Sequence, residues 1–154
     1  MKNDILDKEY VLNNGINLKA LWGEYCSDRI LDKPEEEGGK PFTGLAYELY
    51  NNGQLIYYCF YKDGFECGEY VEFHENGNIE SKQYMKYGQI RGKEELWFED
   101  GKLKSISEYE FGICLTLKEW DYDGKLVKEK LSPIEEDIKN LKRERESNKR
   151  LGRD

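Results

Sequence analysis

His74 is the only histidine in this chain of 154 residues, so it is the one imidazole available as a general base near neutral pH. It stands, however, in a sequence column also filled by Tyr50, Phe98 and Asp121, so repetition accounts for its position without acid–base chemistry. The adjacent carboxylates Glu94 and Glu95 point to opposite faces of a strand and cannot share one substrate. Cys26, Cys59, Cys67 and Cys114 lack the CxxC spacing of a zinc site and read as reduced, structural thiols. The glycines serve turns, and no glycine-rich phosphate loop leads from a strand into a helix. No catalytic residue, metal site or cofactor is expected, and the chain does not read as an enzyme. What remains is a column of like residues, Glu48, Glu72 and Glu119, interrupted by Leu96. It reads either as a solubilising stripe or as an acidic row that meets Lys and Arg on a partner.

The elements that carry these residues repeat. Glycines recur in three sets, Gly44, Gly68 and Gly92; Gly53, Gly77, Gly101 and Gly124; and Gly64, Gly88 and Gly112, at a spacing of 24 residues that shortens to 23 at the last interval. Asn-Gly or Asp-Gly between apolar stretches is a strong hairpin signal, because glycine reaches positive φ freely and Asn or Asp supplies local hydrogen bonds. A three-residue loop pairs Leu49 with Leu55, whereas a two-residue loop pairs Leu49 with Ile56; the three-residue loop is expected. A second turn follows Tyr61, Met85 and Tyr109, so the hairpins run on as an antiparallel meander. Leu49, Phe73, Trp97 and Trp120 should form one ladder and Leu55, Ile79, Leu103 and Leu126 another, with Tyr50, Ile56, Tyr58, Tyr70, Tyr84, Phe98 and Ile106 among Glu48, Glu72, Lys82 and Glu94 on the opposite face.

Asn52-Gly53-Gln54-Leu55 with Tyr61-Lys62-Asp63-Gly64, and Asp100-Gly101-Lys102-Leu103 with Tyr109-Glu110-Phe111-Gly112, resemble the variant MORN repeat. The run Lys40-Pro41-Phe42-Thr43-Gly44 is similar to the entry segment of bacterial YwqK-type antitoxin and immunity proteins built from such repeats. The resemblance covers about Pro41 to Lys130. It implies an extended, mainly β meander and a protein that neutralises a toxin by binding. The last repeat departs from the pattern, with Leu115 and Thr116 where Gly92 stood and no second glycine, as suits a terminal unit with one neighbour.

The ends frame the array as a lead-in of strand and loop over 1–40, repeats over 41–131, and a charged helix with a tail over 132–154, all in one domain. Lys19 to Tyr25 reads as a leading strand, and Pro34 to Gly39 as a loop. Ser132-Pro133-Ile134-Glu135 reads as an N-cap, a first-turn proline and a capping-box glutamate, with the helix running to about Arg150. Ile134, Ile138 and Leu141 share a stripe, so the first two turns should dock on the last hairpin and the rest should project. Net charge is −8, which disfavours nucleic acid and anionic membranes and favours a basic protein partner. With no apolar run for a signal or a membrane span, the chain reads as cytoplasmic and, when free, as a monomer.

Two functions follow. One is an immunity protein or antitoxin that occludes a toxin, and the other is a repeat scaffold for protein or membrane-associated assembly. The contact residues expected on one face of the central hairpins are Glu48, Tyr50, Tyr70, Glu72, His74, Glu94 and Phe98.

Overall fold

The computed structural model describes residues 4–153; Met1 to Asn3 and Asp154, the outer ends of the expected lead-in and tail, lie outside the described residues. The lead-in holds helix α1 (Lys8–Asn14), strand β1 (Ile16–Asn17), a 3-10 turn at Leu18–Ala20, and the small hairpin β2 (Trp22–Gly23) with β3 (Ile30–Leu31). The array follows as β4 (Gly44–Leu49), β5 (Leu55–Lys62), β6 (Phe65–Phe73), β7 (Ile79–Lys86), β8 (Gln89–Ile90), β9 (Gly92–Trp97), β10 (Leu103–Glu110), β11 (Ile113–Trp120) and β12 (Leu126–Lys130), and helix α2 (Glu135–Arg150) closes the chain. The main sheet runs β1-β4-β5-β6-β7-β9-β10-β11-β12, with β8 beside β7. Every neighbouring pair is antiparallel except β1 with β4, which is parallel.

Each first turn is the expected three-residue loop. Gly53 N–H donates to Tyr50 O at 2.9 Å and Tyr50 N–H to Gln54 O at 2.8 Å, which leaves Asn51 to Gly53 as the loop. Gly53 has φ +83°, a left-handed conformation that a Cβ would strain. The pairings Leu49–Leu55, Phe73–Ile79, Trp97–Leu103 and Trp120–Leu126 all form. The second turns at Asp63-Gly64, Tyr87-Gly88 and Phe111-Gly112 place both central residues at positive φ, the two-residue geometry that matches strand twist. Tyr87 and Phe111 are bulky for such positions. Arg153 lies 5.5 Å from the Tyr87 ring centroid and Arg91 lies 3.7 Å from that of Phe111, contacts that a smaller turn residue would not make.

Strict alternation fails beside the first turn of every repeat, and the register shifts again at Cys59/Tyr61 and Glu108/Tyr109. After Leu49–Leu55 the next pair is Glu48–Tyr57, so Ile56 is an extra residue, and Glu80, Lys104 and Val127 are extra at the equivalent points. Such a bulge offsets the side-chain parity of all that follows on the strand. Tyr58, Lys82, Tyr84 and Ile106, expected opposite the turn-flanking residues, therefore share their face: Tyr47–Tyr58–Val71–Lys82–Glu95–Ile106–Lys118–Glu129 is one continuous row, and Tyr84 pairs with Glu69. We call this face A and the other face B.

Two clusters hold the fold, one on each face of the early hairpins. On face A, Val11 of α1 packs with Leu45, Leu55, Tyr58, Val71 and Phe73, flanked by Ile5 and Leu6. Tyr58 Oη accepts from Leu6 N–H at 3.0 Å and donates to the Glu69 carboxylate. On face B, Phe42, Ala46, Tyr57, Cys59 and Tyr61 pack against Leu18, Leu21 and Ile30 of the lead-in. Gly64 admits that layer, since a Cβ there would lie 2.9 Å from Arg29 Cβ and 3.0 Å from Ile30 O. The lead-in is thus more than strand and loop: it contains a helix, and within Lys19 to Tyr25 only Trp22–Gly23 is strand.

Helix α2 also differs from expectation. It starts after Ile134, whose N–H donates to Asp137 Oδ2 at 2.8 Å, and Lys130 Nζ lies 2.6 Å from the same carboxylate oxygen. That anchor moves the start two residues past Ser132. Ile134 and Ile138 are exposed, but Asp137 and buried Leu141 hold the first two turns to the last hairpin as expected, and the later turns make contacts as well. Leu141 is buried, Arg145 pairs with Glu110 at 2.6 Å, Asn148 is buried beside Gln89, and Arg153 stacks 4.5 Å from the Phe65 ring centroid. The helix runs back along the second turns instead of projecting.

Candidate partner-binding face

Face B carries the acidic column. Successive pairings join Glu48, Tyr57, Glu72, Ser81, Leu96, Ser105, Glu119 and Lys128 into one row across eight strands. Beside it, one partial row holds Ala46, Cys59, Tyr70 and Gln83, and another holds Glu94, Ser107, Leu117 and Lys130. The serines are deeply buried floor positions between taller neighbours.

Glu72 is the centre of a polar network. Its carboxylate accepts from Tyr70 Oη at 2.8 Å and from Ser81 Oγ at 3.2 Å. The Tyr57 and Tyr70 rings stack at 5.2 Å between centroids. Burial, followed by the charge of Glu72, raises the Glu66 carboxyl above its ordinary pKa. Burial also raises that of Glu94, with Glu72 adding to the rise and a hydrogen bond from Tyr109 opposing it. Burial likewise pushes Tyr57 up to about 12. Burial is thus the main cost on the Glu66 and Glu94 carboxylates, with the charge of Glu72 adding to it, and an incoming cation offsets that cost. Among the described residues, no group of three or more His, Cys, Asp or Glu is placed to hold a metal ion. Nor is any helix among them long and apolar enough to cross a membrane.

Helix α2 walls the second-turn side of this face. Gln89 Nε2 donates to Glu144 Oε2 at 3.0 Å, and Asn148 Nδ2 donates to Gln89 Oε1 at 3.4 Å. Between the helix and the sheet lies a cavity of about 440 Å³ lined by Tyr61, Glu66, Glu144, Asn148 and Arg153, among others.

Of the seven expected contact residues, Glu48, Tyr70, Glu72 and Glu94 come together on face B. Tyr50, His74 and Phe98 belong instead to the hairpin tips. Tyr50 Oη donates to Phe73 O at 2.9 Å, and His74 Nε2 lies 2.9 Å from Trp97 O, so each staples one repeat to the next. Phe98 packs edge-on against Tyr122 at 5.3 Å. Asn52 and Asn76 reinforce this line by donating to Glu75 O and Glu99 O, both at 3.0 Å. The sequence reading missed Tyr57, Tyr61, Glu66 and Tyr109. A signal existed, since Ser81 and Ser105 recur two residues beyond Ile79 and Leu103, where strict alternation asks for large apolar residues.

A meander of hairpins at this period, with glycine-closed tips stapled across repeats, defines the MORN-repeat class. The MORN repeat variant pattern matches residues 42–63, 66–87 and 91–110, leaving the atypical last hairpin unmatched. Over 155 aligned residues, covering 100% of both chains, this chain is 43% identical to the immunity protein YwqK of Bacillus subtilis (strain 168). It belongs to the YwqK-type family of variant MORN-repeat proteins. No solved structure matches the chain.

Proposed function

We propose that this chain is an immunity protein that neutralises a partner toxin by binding it and occluding its working surface. The relationship to an immunity protein supports the class. The observation that carries the mechanism is the placement of Glu48, Glu72 and Glu94 with Tyr70 on face B, where Tyr70 Oη donates to Glu72. A basic side chain inserted there pairs with these half-buried carboxylates, while Tyr70 and Tyr109 supply rigid contact area. The partner is then a basic protein, and the chain acts in the cytoplasm as a monomer until it binds, by contact and not by catalysis. Glu48, Tyr70, Glu72 and Glu94 make the contacts, and Tyr50, His74 and Phe98 hold the tips that support them.

The test co-expresses this chain with the C-terminal segment encoded by the adjacent upstream reading frame. The reading requires growth arrest by the segment alone, rescue by the chain, and a stoichiometric complex on size exclusion. A folded Glu72→Gln, Glu94→Gln double variant should lose rescue. Rescue that survives this variant excludes face B, and the absence of any complex excludes the toxin reading. A scaffold role is the second reading, favoured by the exposure of Leu126, Val127 and Leu131 at the outermost strand.

A further inference from the structure

The turn-flanking pairs of face A form the floor of a groove along the hairpin tips, and the chain itself fills only the first part. Ile5 and Leu6 pack against the cluster containing Leu55, Tyr58 and Phe73, and the Leu6 backbone is tied to Tyr58 Oη. Beyond Ile5 the same floor continues uncovered. A cavity of about 340 Å³ opens among Ile5, Ile79, Trp97 and Asp100. Another of about 370 Å³ opens among Leu103, Trp120, Tyr122 and Asp123. Tyr122 is 54% exposed and Leu126 is 48% exposed, against 3% for Leu55 in the covered part.

The rim changes along the groove as well. The tips beside the covered part are Asn51-Asn52 and Glu75-Asn76, with one acid between them, while the tips beside the open part, Glu99-Asp100 and Asp121-Tyr122-Asp123, carry four. The chain's own occupant carries acids on both sides, as Asp4-Ile5-Leu6-Asp7, which suits the less acidic tips and would be repelled more strongly by the acidic ones. Lys102 counters part of this charge, with Nζ 3.7 Å from Asp100 Oδ2 and 4.3 Å from the Tyr122 ring centroid. The balance of the rim stays acidic over an apolar floor with two indoles.

We propose that the open part of this groove binds an extended segment of a protein partner in which one or two aliphatic side chains are flanked by Lys or Arg. The aliphatic side chains seat over Trp97 and Trp120 as Ile5 and Leu6 seat over Leu55 and Phe73, and the flanking cations meet Asp100, Asp121 and Asp123. This surface lies on the face opposite the carboxylate cluster. The proposal therefore goes beyond the toxin reading and stands or falls apart from it.

The test follows the three indole N–H signals of the full-length, ¹⁵N-labelled protein, with Trp22 as the internal control. The probe is the end-blocked hexapeptide Lys-Arg-Ile-Leu-Arg-Lys. The comparison peptides are Glu-Asp-Ile-Leu-Asp-Glu, which reverses the charge, and Lys-Arg-Ser-Ser-Arg-Lys, which removes the apolar pair. The basic aliphatic peptide should shift Trp97 and Trp120 saturably, leave Trp22 still, and bind about tenfold more tightly than either comparison peptide. Asp100→Asn with Asp123→Asn should abolish that preference without unfolding the protein, since both side chains lie at surface tips. No shift at millimolar peptide, or equal shifts with all three peptides, overturns the proposal. So do indole shifts that follow protein concentration alone, which give the groove to a second copy. Shifts that follow deletion of Met1 to Asn3 and ignore the peptide give it to the chain's own start.

Discussion

The first two hairpins and the last two are built from one repeat, yet they are buried very differently. Leu45, Ala46, Leu55, Tyr57, Tyr58, Cys59, Tyr61, Phe65, Val71, Phe73 and Met85 are buried, and all precede residue 86. Beyond that point, the buried side chains among the described residues are Ser105, Ser107, Leu141 and Asn148. One row shows the change directly. Tyr47, Tyr58 and Val71 lie near α1, and the row continues as Lys82, Glu95, Ile106, Lys118 and Glu129 where nothing comparable covers it. Charged residues take over the row, with Lys82 Nζ 4.0 Å from Glu69 and Lys93 Nζ 3.5 Å from Glu95, so the late row exchanges packing for surface ion pairs of about 0–1 kcal/mol each. The repeat therefore specifies the sheet, while the non-repeated lead-in specifies where the core lies. Repeat arrays behave this way because each unit buries only what its neighbours and caps cover.

The widest gap between the halves should appear in core truncations. Tyr58→Ala should cost about 3–5 kcal/mol, whereas Ile106→Ala in the same row should cost about 1 kcal/mol. Urea unfolding of both variants checks this, and equal losses would remove the distinction between the halves. Next comes Asn148→Ala, which should cost about 1–3 kcal/mol by leaving Gln89 short of a partner. Because α2 crosses from the late hairpins to the early ones, amide exchange should quicken in α2 and near Gln89 together, and quickening in α2 alone would mean the helix is not coupled to the early half. Tyr50→Phe should cost about 1 kcal/mol through the lost bond to Phe73 O. Exchange at that tip would report a local effect if the staples act repeat by repeat.

The smallest effect should depend on pH. Burial raises the Glu94 carboxyl in the folded state, so stability is fully present below the ordinary glutamate pKa and is lost as pH rises through the raised folded value. Glu94→Gln should therefore stabilise the protein at pH 7, and the gain should shrink as the pH approaches about 4.3. Asp137 has the opposite sign. Its carboxyl is lowered by Lys130 and by the Ile134 N–H, so its contribution is present above the ordinary aspartate pKa and is lost as pH falls through the lowered value. Acidification should then relieve face B first and loosen the start of α2 only below the ordinary aspartate pKa of about 3.9, and denaturation of each variant across pH separates the two.

Local chemistry made much of the array legible. Asn-Gly and Asp-Gly tips dictate turns through residues adjacent in the chain, so the three-residue loop, the pairing of Leu49 with Leu55 and the alignment of Glu48 with Glu72 and Glu119 all follow from the sequence. The faces were less legible, because a bulge depends on how two strands match and not on either one alone. One extra residue at Ile56 sent Tyr58 to one side and Tyr57 to the other. The cover was least legible. Leu6 meets Tyr58 across 52 residues and Gln89 meets Glu144 across 55, and neither contact has a local signature. Sequence alone thus determined the repeat, its turns and its acidic row, because those rest on contacts between near neighbours. Only the tertiary structure decided which face each tyrosine takes, where the core stops and which groove stays open, because those depend on which distant segment reaches the sheet and which part of the sheet it leaves exposed.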